Sequence, residues 1–152
     1  KYWIEYICKR FENTGKHISP ELAEEICRLV DNHSSYVQQL SWLLWIRTIN
    51  TATTEQLTYA LEDLLDQNNI LFQSETENLS AYQMNFLKAI VDGIHTKFSS
   101  KEVISKYNLG TSANIVRLKN ALLQKELIET NGKEIVLADP VFGVWFKKEM
   151  LY

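Results

Sequence analysis

The chain has 152 residues, 45% of them hydrophobic, 11% aromatic and 23% charged, with a formal net charge of −3. That is enough apolar material for an ordinary core, in one domain or two small ones. No apolar run approaches the roughly 20 residues a membrane span needs and no basic start with an apolar stretch marks export, so a cytoplasmic protein with no membrane partner is expected.

Tyr2 to Phe11 repeats apolar residues at Ile4, Ile7, Cys8 and Phe11, at helical spacing, until Gly15 breaks the pattern. Ser19 is a plausible N-cap, Pro20 suits a first turn, and Leu22, Ile26, Leu29 and Val30 form the next stripe. A third helix is expected over Ser35 to Ile49. Its run from Trp42 to Ile46 leaves no polar side, which predicts burial on nearly every face, whereas the segment before it, NHSSYVQQ, is rich in polar groups. Thr53 and Gln56 make a capping box for a fourth helix with Leu57, Ala60, Leu61, Leu64, Leu65 and Leu71 on one side. Cys8 and Cys27 fall among apolar residues with no CxxC pair or Cys/His cluster, so free buried thiols are expected.

The polar run Gln73 to Asn78 reads as a hinge between subdomains 1–73 and 79–152. Ser80 with Gln83 forms a capping box, Leu79 with Met84 a hydrophobic staple, and Phe86, Leu87, Ile90 and Val91 a buried stripe that stops near Gly93. Ser99 with Glu102 opens a short helix with Val103, Ile104 and Tyr107 inward; NLGTS then turns the chain into a longer helix, Ser112 to Glu126. The runs LIET and KEIVLA, joined by Asn131-Gly132, predict a hairpin with a type I′ turn. Asp139-Pro140 starts a last helix carrying Val141, Phe142, Val144, Trp145 and Phe146. The predicted fold is mostly α: four helices, then a winged helix-turn-helix with a small β-hairpin and a C-terminal helix. Trp3, Trp42, Trp45 and Trp145 are the expected core anchors.

Charge divides along the chain. Residues 1–78 carry six Lys/Arg against twelve Asp/Glu, and residues 97–133 carry seven against three, a hint of an anion-binding C-terminal portion. At 100° per residue, Ile115, Leu118 and Leu122 face the core of the long helix, while Ala113, Asn114, Arg117, Asn120 and Gln124 face away and Lys119 lies nearer the apolar side. Asn and Arg can make paired hydrogen bonds to adenine and guanine edges, and a lysine at the wing tip can reach phosphate. Ser112, Asn114, Arg117, Asn120 and Lys133 are therefore the candidate residues for double-stranded DNA. The alternative is a surface for a protein partner, since that helix face holds a single formal charge and duplex binders bring several phosphate contacts.

The segments NHSSYVQQLSWLLW, LSAYQMNFLKAI, SSKEVISKYNLGTSANIVRLKNALLQKELIE and the ending DPVFGVWF, with their H-x-x-Y-V-Q and D-P-x-F-x-x-W patterns, resemble the C-terminal region of archaeal and bacterial AAA+/STAND-type ATPases. The resemblance covers nearly the whole chain and implies a helical lid at 1–73 and a winged helix at 79–152, downstream of a P-loop core that binds ATP and Mg. It also places His33, Ser34, Ser35 and Tyr36 against the adenine end of the nucleotide, with Ser34 departing from the proline usual there. The bland reading of the same letters is Ser35 as N-cap, His33 on the surface and Tyr36 in the core. Phosphoryl transfer needs a phosphate-cradling Gly-rich loop with its Lys and Ser/Thr, and no GxxxxGK[ST] occurs here. The chain itself is thus expected to be no enzyme, with no catalytic residues, no metal and no cofactor of its own, and its first residues read as mid-helix, as in a piece of a longer protein. His17 and His95 have no carboxylate or Cys at suggestive spacing, and Glu24, Glu25, Glu62, Asp63 and Asp66 fit solvated helix faces.

Overall fold

Local end signals and apolar stripes produce eight helices and one two-stranded antiparallel sheet among residues 1–151, which the structure, a computed structural model, describes. By packing, the chain divides into Lys1–Asn69 and a second unit from Ile70 on, a boundary inside the fourth helix. No helix among the described residues is long and apolar enough to cross a membrane.

The first unit holds α1 (Tyr2–Asn13), α2 (Pro20–Leu29), α3 (Ser34–Arg47) and most of α4 (Thr54–Thr76). As the sequence predicts, Ser19 caps α2 by accepting from the Leu22 amide at 3.1 Å, ahead of Pro20. Thr53 and Gln56 form their box at α4, each side chain accepting from the other's backbone amide. Helices α1, α2 and α3 pack mutually and bury Ile7, Phe11, Ile26, Val37, Leu40 and Leu44. The connections are tied by His17, whose amide bonds to Asn50 and whose carbonyl accepts from Ala52, both at 2.8 Å. Lys16 closes the end of α3: its ammonium donates to the Trp45 carbonyl at 2.7 Å and lies 3.9 Å from the centre of that indole, so one cation serves both the helix C-terminus and an aromatic face.

Two expectations for this unit need correction. The run Trp42 to Ile46 is not buried all round: Leu43 and Leu44 are, but Trp42 is 59% and Ile46 50% exposed, because α1 and α2 cover only one side of α3. Nor is Trp42 a core anchor, and Trp3 and Trp45 are half-buried; of the four tryptophans only Trp145 is fully inside.

In the second unit α4 continues to Thr76, through most of the segment read as a hinge. Phe72 and Thr76 are buried on one side while Gln73, Ser74 and Glu75 face solvent. The Thr76 hydroxyl bonds back to the Phe72 carbonyl at 3.0 Å, so its burial leaves no polar group unpaired. The stripe shifts to Phe72, and Leu71, expected inward, is 54% exposed. Then follow α5 (Ala81–Val91), α6 (Lys101–Tyr107), α7 (Ser112–Gln124), the strands β1 (Ile128–Asn131) and β2 (Glu134–Leu137), and α8 (Pro140–Met150). This is the winged-helix order.

The Ser80–Gln83 capping box is complete. The cap of α6 is Ser100, not Ser99, its hydroxyl accepting from the Val103 amide at 3.3 Å. In the hairpin Asn131 pairs with Glu134, so Gly132 and Lys133 are the central residues. Gly132 has φ +63° and Lys133 is not in the left-handed region, which fits a type II′ turn rather than the expected I′. The Ile135 amide donates to the His95 carbonyl at 2.9 Å, and the His95 imidazole is 3.0 Å from the Ile135 carbonyl, so the loop after α5 acts as a further edge to β2. Helix α8 starts on Asp139, whose carboxylate accepts from the Val141 and Phe142 amides, and packs on α5 and β2. Its Phe142 and Trp145 rings lie 5.4 and 5.5 Å from the Phe72 ring, and Phe146 lies 5.8 Å from Phe142; all four are buried.

Replacing Trp145 by Ala should cost about 3–5 kcal/mol of stability, whereas Trp42→Ala should change it by less than about 0.5 kcal/mol. Urea unfolding of the two variants checks the difference, and equal losses would show that both indoles are core.

Candidate functional site

Two places hold the candidate residues, one in each unit. At the start of α3 the N-cap is His33, with no side-chain capping bond, following Asp31 and Asn32 in the left-handed region. Ser35 is therefore not the cap; its hydroxyl accepts from the Gln39 amide at 3.0 Å, one turn on. Ser34 accepts from the Gln38 side chain through its carbonyl at 3.3 Å. The His33 ring sits 4.9 Å from the Tyr36 ring, tilted by 44°, and His33, Ser34 and Ser35 are exposed with Tyr36 half-buried. These four residues thus form one contiguous, accessible surface at the positive end of a helix, the end that favours anions.

In the second unit the turn into α7 is built by Asn108, left-handed at the end of α6, and by Thr111 as N-cap without a side-chain bond. Leu109 between them is fully buried. Ile115, Leu118 and Leu122 are buried as expected, and Ser112, Arg117 and Asn120 are exposed. Asn114 departs from the outward set. It is half-buried, and its amide donates to the Leu109 carbonyl at 3.2 Å, tying α7 to the turn that precedes it. Val116, which spacing did not single out, is 63% exposed in the middle of the outer face. Lys133 is exposed at the tip of the hairpin. The accessible set is therefore Ser112, Arg117, Asn120 and Lys133, with a single cation on the helix and another on the wing.

Other chemistry is sparse. Burial pushes the Cys8 and Cys27 thiols up, which makes them poor nucleophiles at neutral pH; both are free, Cys27 buried and Cys8 half-buried with its Sγ 3.7 Å from the Ile18 carbonyl. Burial, then the hydrogen bond to Asp92, raises the Tyr107 phenol. No group of three or more His, Cys, Asp or Glu that could hold a metal occurs among the described residues. One feature that helical spacing did not expose is a cavity of about 550 Å³ in the first unit, with walls from α1 and α3.

The family model described as "Probable winged helix domain" matches residues 70–148. A Walker-type ATPase of Pyrococcus abyssi shares the fold with a TM-score of 0.69 at 19% identity, over 95% of this chain and 41% of that one. The chain therefore spans about two fifths of the length of that ATPase. No curated protein sequence matches the chain.

Asn114→Ala should lower stability by about 0.5–1.5 kcal/mol through loss of the bond to Leu109, while Arg117→Ala and Asn120→Ala should stay within about 0.5 kcal/mol of the parent. Thermal unfolding of the three variants distinguishes the tied residue from the displayed ones.

Proposed function

The chain belongs to the winged-helix domain family whose model it matches, and on that premise we propose that it is the non-catalytic C-terminal part of a P-loop ATPase, in which a helical lid couples nucleotide state to DNA binding by the winged helix. The observation that carries this is the shared fold over 95% of the chain with a stretch of a Walker-type ATPase. A P-loop core would supply ATP and Mg and the chemistry. The lid would close on the nucleotide through the surface of His33, Ser34, Ser35 and Tyr36, where the helix dipole favours an anion. DNA would lie along α7, with Ser112, Arg117 and Asn120 at base edges and Lys133 on phosphate; Asn114 is the weakest of the set, since its amide is already engaged.

A protein partner is the second reading, favoured by Val116 at 63% exposure on the outer face and by the single cation of that face. An apolar residue at the centre of an accessible surface suits a protein interface better than a phosphate backbone.

Fluorescence anisotropy of the full chain with labelled duplex DNA should show binding that falls steeply with salt. Arg117→Ala should weaken it by about 1–3 kcal/mol, and Lys133→Ala should reduce the salt slope by about 1. If the folded chain fails to bind at low salt, DNA is the wrong partner. The second reading then predicts nucleotide-dependent association with a separately expressed P-loop core.

A further inference from the structure

The cavity in the first unit has features of a built ligand site. Its walls are mainly apolar, Ile7 and Phe11 from α1 facing Val37 and Trp42 from α3, and its volume of about 550 Å³ lies in the range of roughly 300–1,000 Å³ typical of small-molecule pockets. One wall is held in place before any ligand arrives. Trp45 donates from its indole N–H to the Thr14 hydroxyl at 2.8 Å, and the Lys16 ammonium sits against its ring. Trp42, one turn earlier on the same helix, lines the cavity too and is 59% exposed, so it can fold over an occupant at the cost of one side chain's freedom.

Two polar groups give the cavity a chemical direction. Arg10 is the one charged residue among those lining it, and it takes part in neither of the two ion pairs formed among the described residues. Ser41 is the second. Its hydroxyl is buried without a hydrogen-bond partner among the described residues. Two buried hydroxyls avoid that cost by bonding to the carbonyl four residues back, Thr48 to Leu44 at 2.7 Å and Thr76 to Phe72 at 3.0 Å. Among the described residues Ser41 is the one whose buried side-chain oxygen has no partner, and it lines the cavity. A buried hydroxyl without a partner is costly, and an occupant bonded to it would remove that cost.

We propose that the cavity between α1 and α3 binds a small apolar monoanion, a carboxylate on a planar or branched hydrocarbon body. Its body would lie against Trp42 and Trp45 of α3, facing Ile7 and Phe11 of α1, and its anionic group would be held by Arg10. One guanidinium matches one carboxylate with paired hydrogen bonds, whereas a nucleotide triphosphate would leave most of its charge uncompensated among apolar walls. The occupant thus differs in charge from a nucleotide, although Gln38 and Gln39 of the cavity lining bond to Ser34 and Ser35 of the proposed nucleotide-facing surface.

Calorimetric titration of the full chain with 2-naphthoate should show one saturable site, and the neutral isostere 2-naphthamide should bind about ten-fold more weakly. Arg10→Gln should abolish that preference, Ser41→Ala should weaken naphthoate binding several-fold, and Arg28→Gln, outside the cavity, should leave it unchanged. No saturable binding by the folded chain, equal affinity for acid and amide, or competition by Mg·ATP at similar concentration would each overturn the proposal. The last outcome would make the cavity part of the nucleotide surface, and failure of DNA binding would leave it untouched.

Discussion

The second unit depends on the burial of four aromatic rings. Phe72 from the end of α4 meets Phe142, Trp145 and Phe146 from α8 in a cluster from which water is excluded. Side chains of that size dominate a small core, and their loss leaves cavities that the surroundings cannot close. Helix α8 is set in this position by its cap and by one small residue in its first turns. Asp139 turns the chain and caps the helix. Gly143 lets α8 approach the hairpin, since a Cβ there would come within 2.8 Å of the Leu137 methyl. With α8 seated on α5 and β2, the wing is fixed from behind and α7 is left to present its outer face.

The first unit is organised differently. Two short helices, α1 and α2, cover one side of α3, while Trp42, at the rim of the α1–α3 cavity, and Ile46 remain largely in solvent, with Ile49 at 81% exposure beyond the end of the helix. Clustered exposed apolar residues on a soluble surface mark a site of contact. An unbroken apolar pentapeptide records that demand for contact as well as burial in the chain's own core, and only the packing of α1 and α2 tells the two apart.

What was legible in the sequence was mostly local. The Ser80–Gln83 and Thr53–Gln56 boxes, the Ser19-Pro20 start and the Asp139-Pro140 cap each act over three or four residues, so their letters suffice. The hairpin was legible for the same reason, although its central pair moved by one residue because Asn131 is taken up by the ladder. Ser99 and Ser100 compete for one cap, and the following turn decides between them. The supposed hinge was misleading because Gln73, Ser74 and Glu75 fall on the solvent side of α4 while Thr76 is buried with its hydroxyl bonded within the helix, and the inward contacts of Phe72 come from residues seventy positions later. Asn114 looked outward by angle but has a carbonyl to satisfy at Leu109. Nor could spacing reveal the cavity, whose Arg10 and Ser41 are distant in sequence and are brought to one cavity only by the packing of α1 on α3. The residues proposed for nucleotide and DNA came from motif and helical angle, and the structure adds their exposure: Tyr36 is half-buried, and the others except Asn114 are open to solvent.

The central claim is that the aromatic cluster under α8 holds the wing and α5 as one cooperative body. Hydrogen–deuterium exchange on the intact chain tests it most directly, because amides freed only by a shared opening exchange with a shared free energy. The Ile135 amide, bonded to His95, and the Ala138 amide, bonded to Leu127, should then exchange no faster than those in the middle of α5 and α8, and a Phe142→Leu change should accelerate all of them together. Exchange of Ile135 and Ala138 that is far faster than that of α8, and indifferent to the change at Phe142, would contradict it.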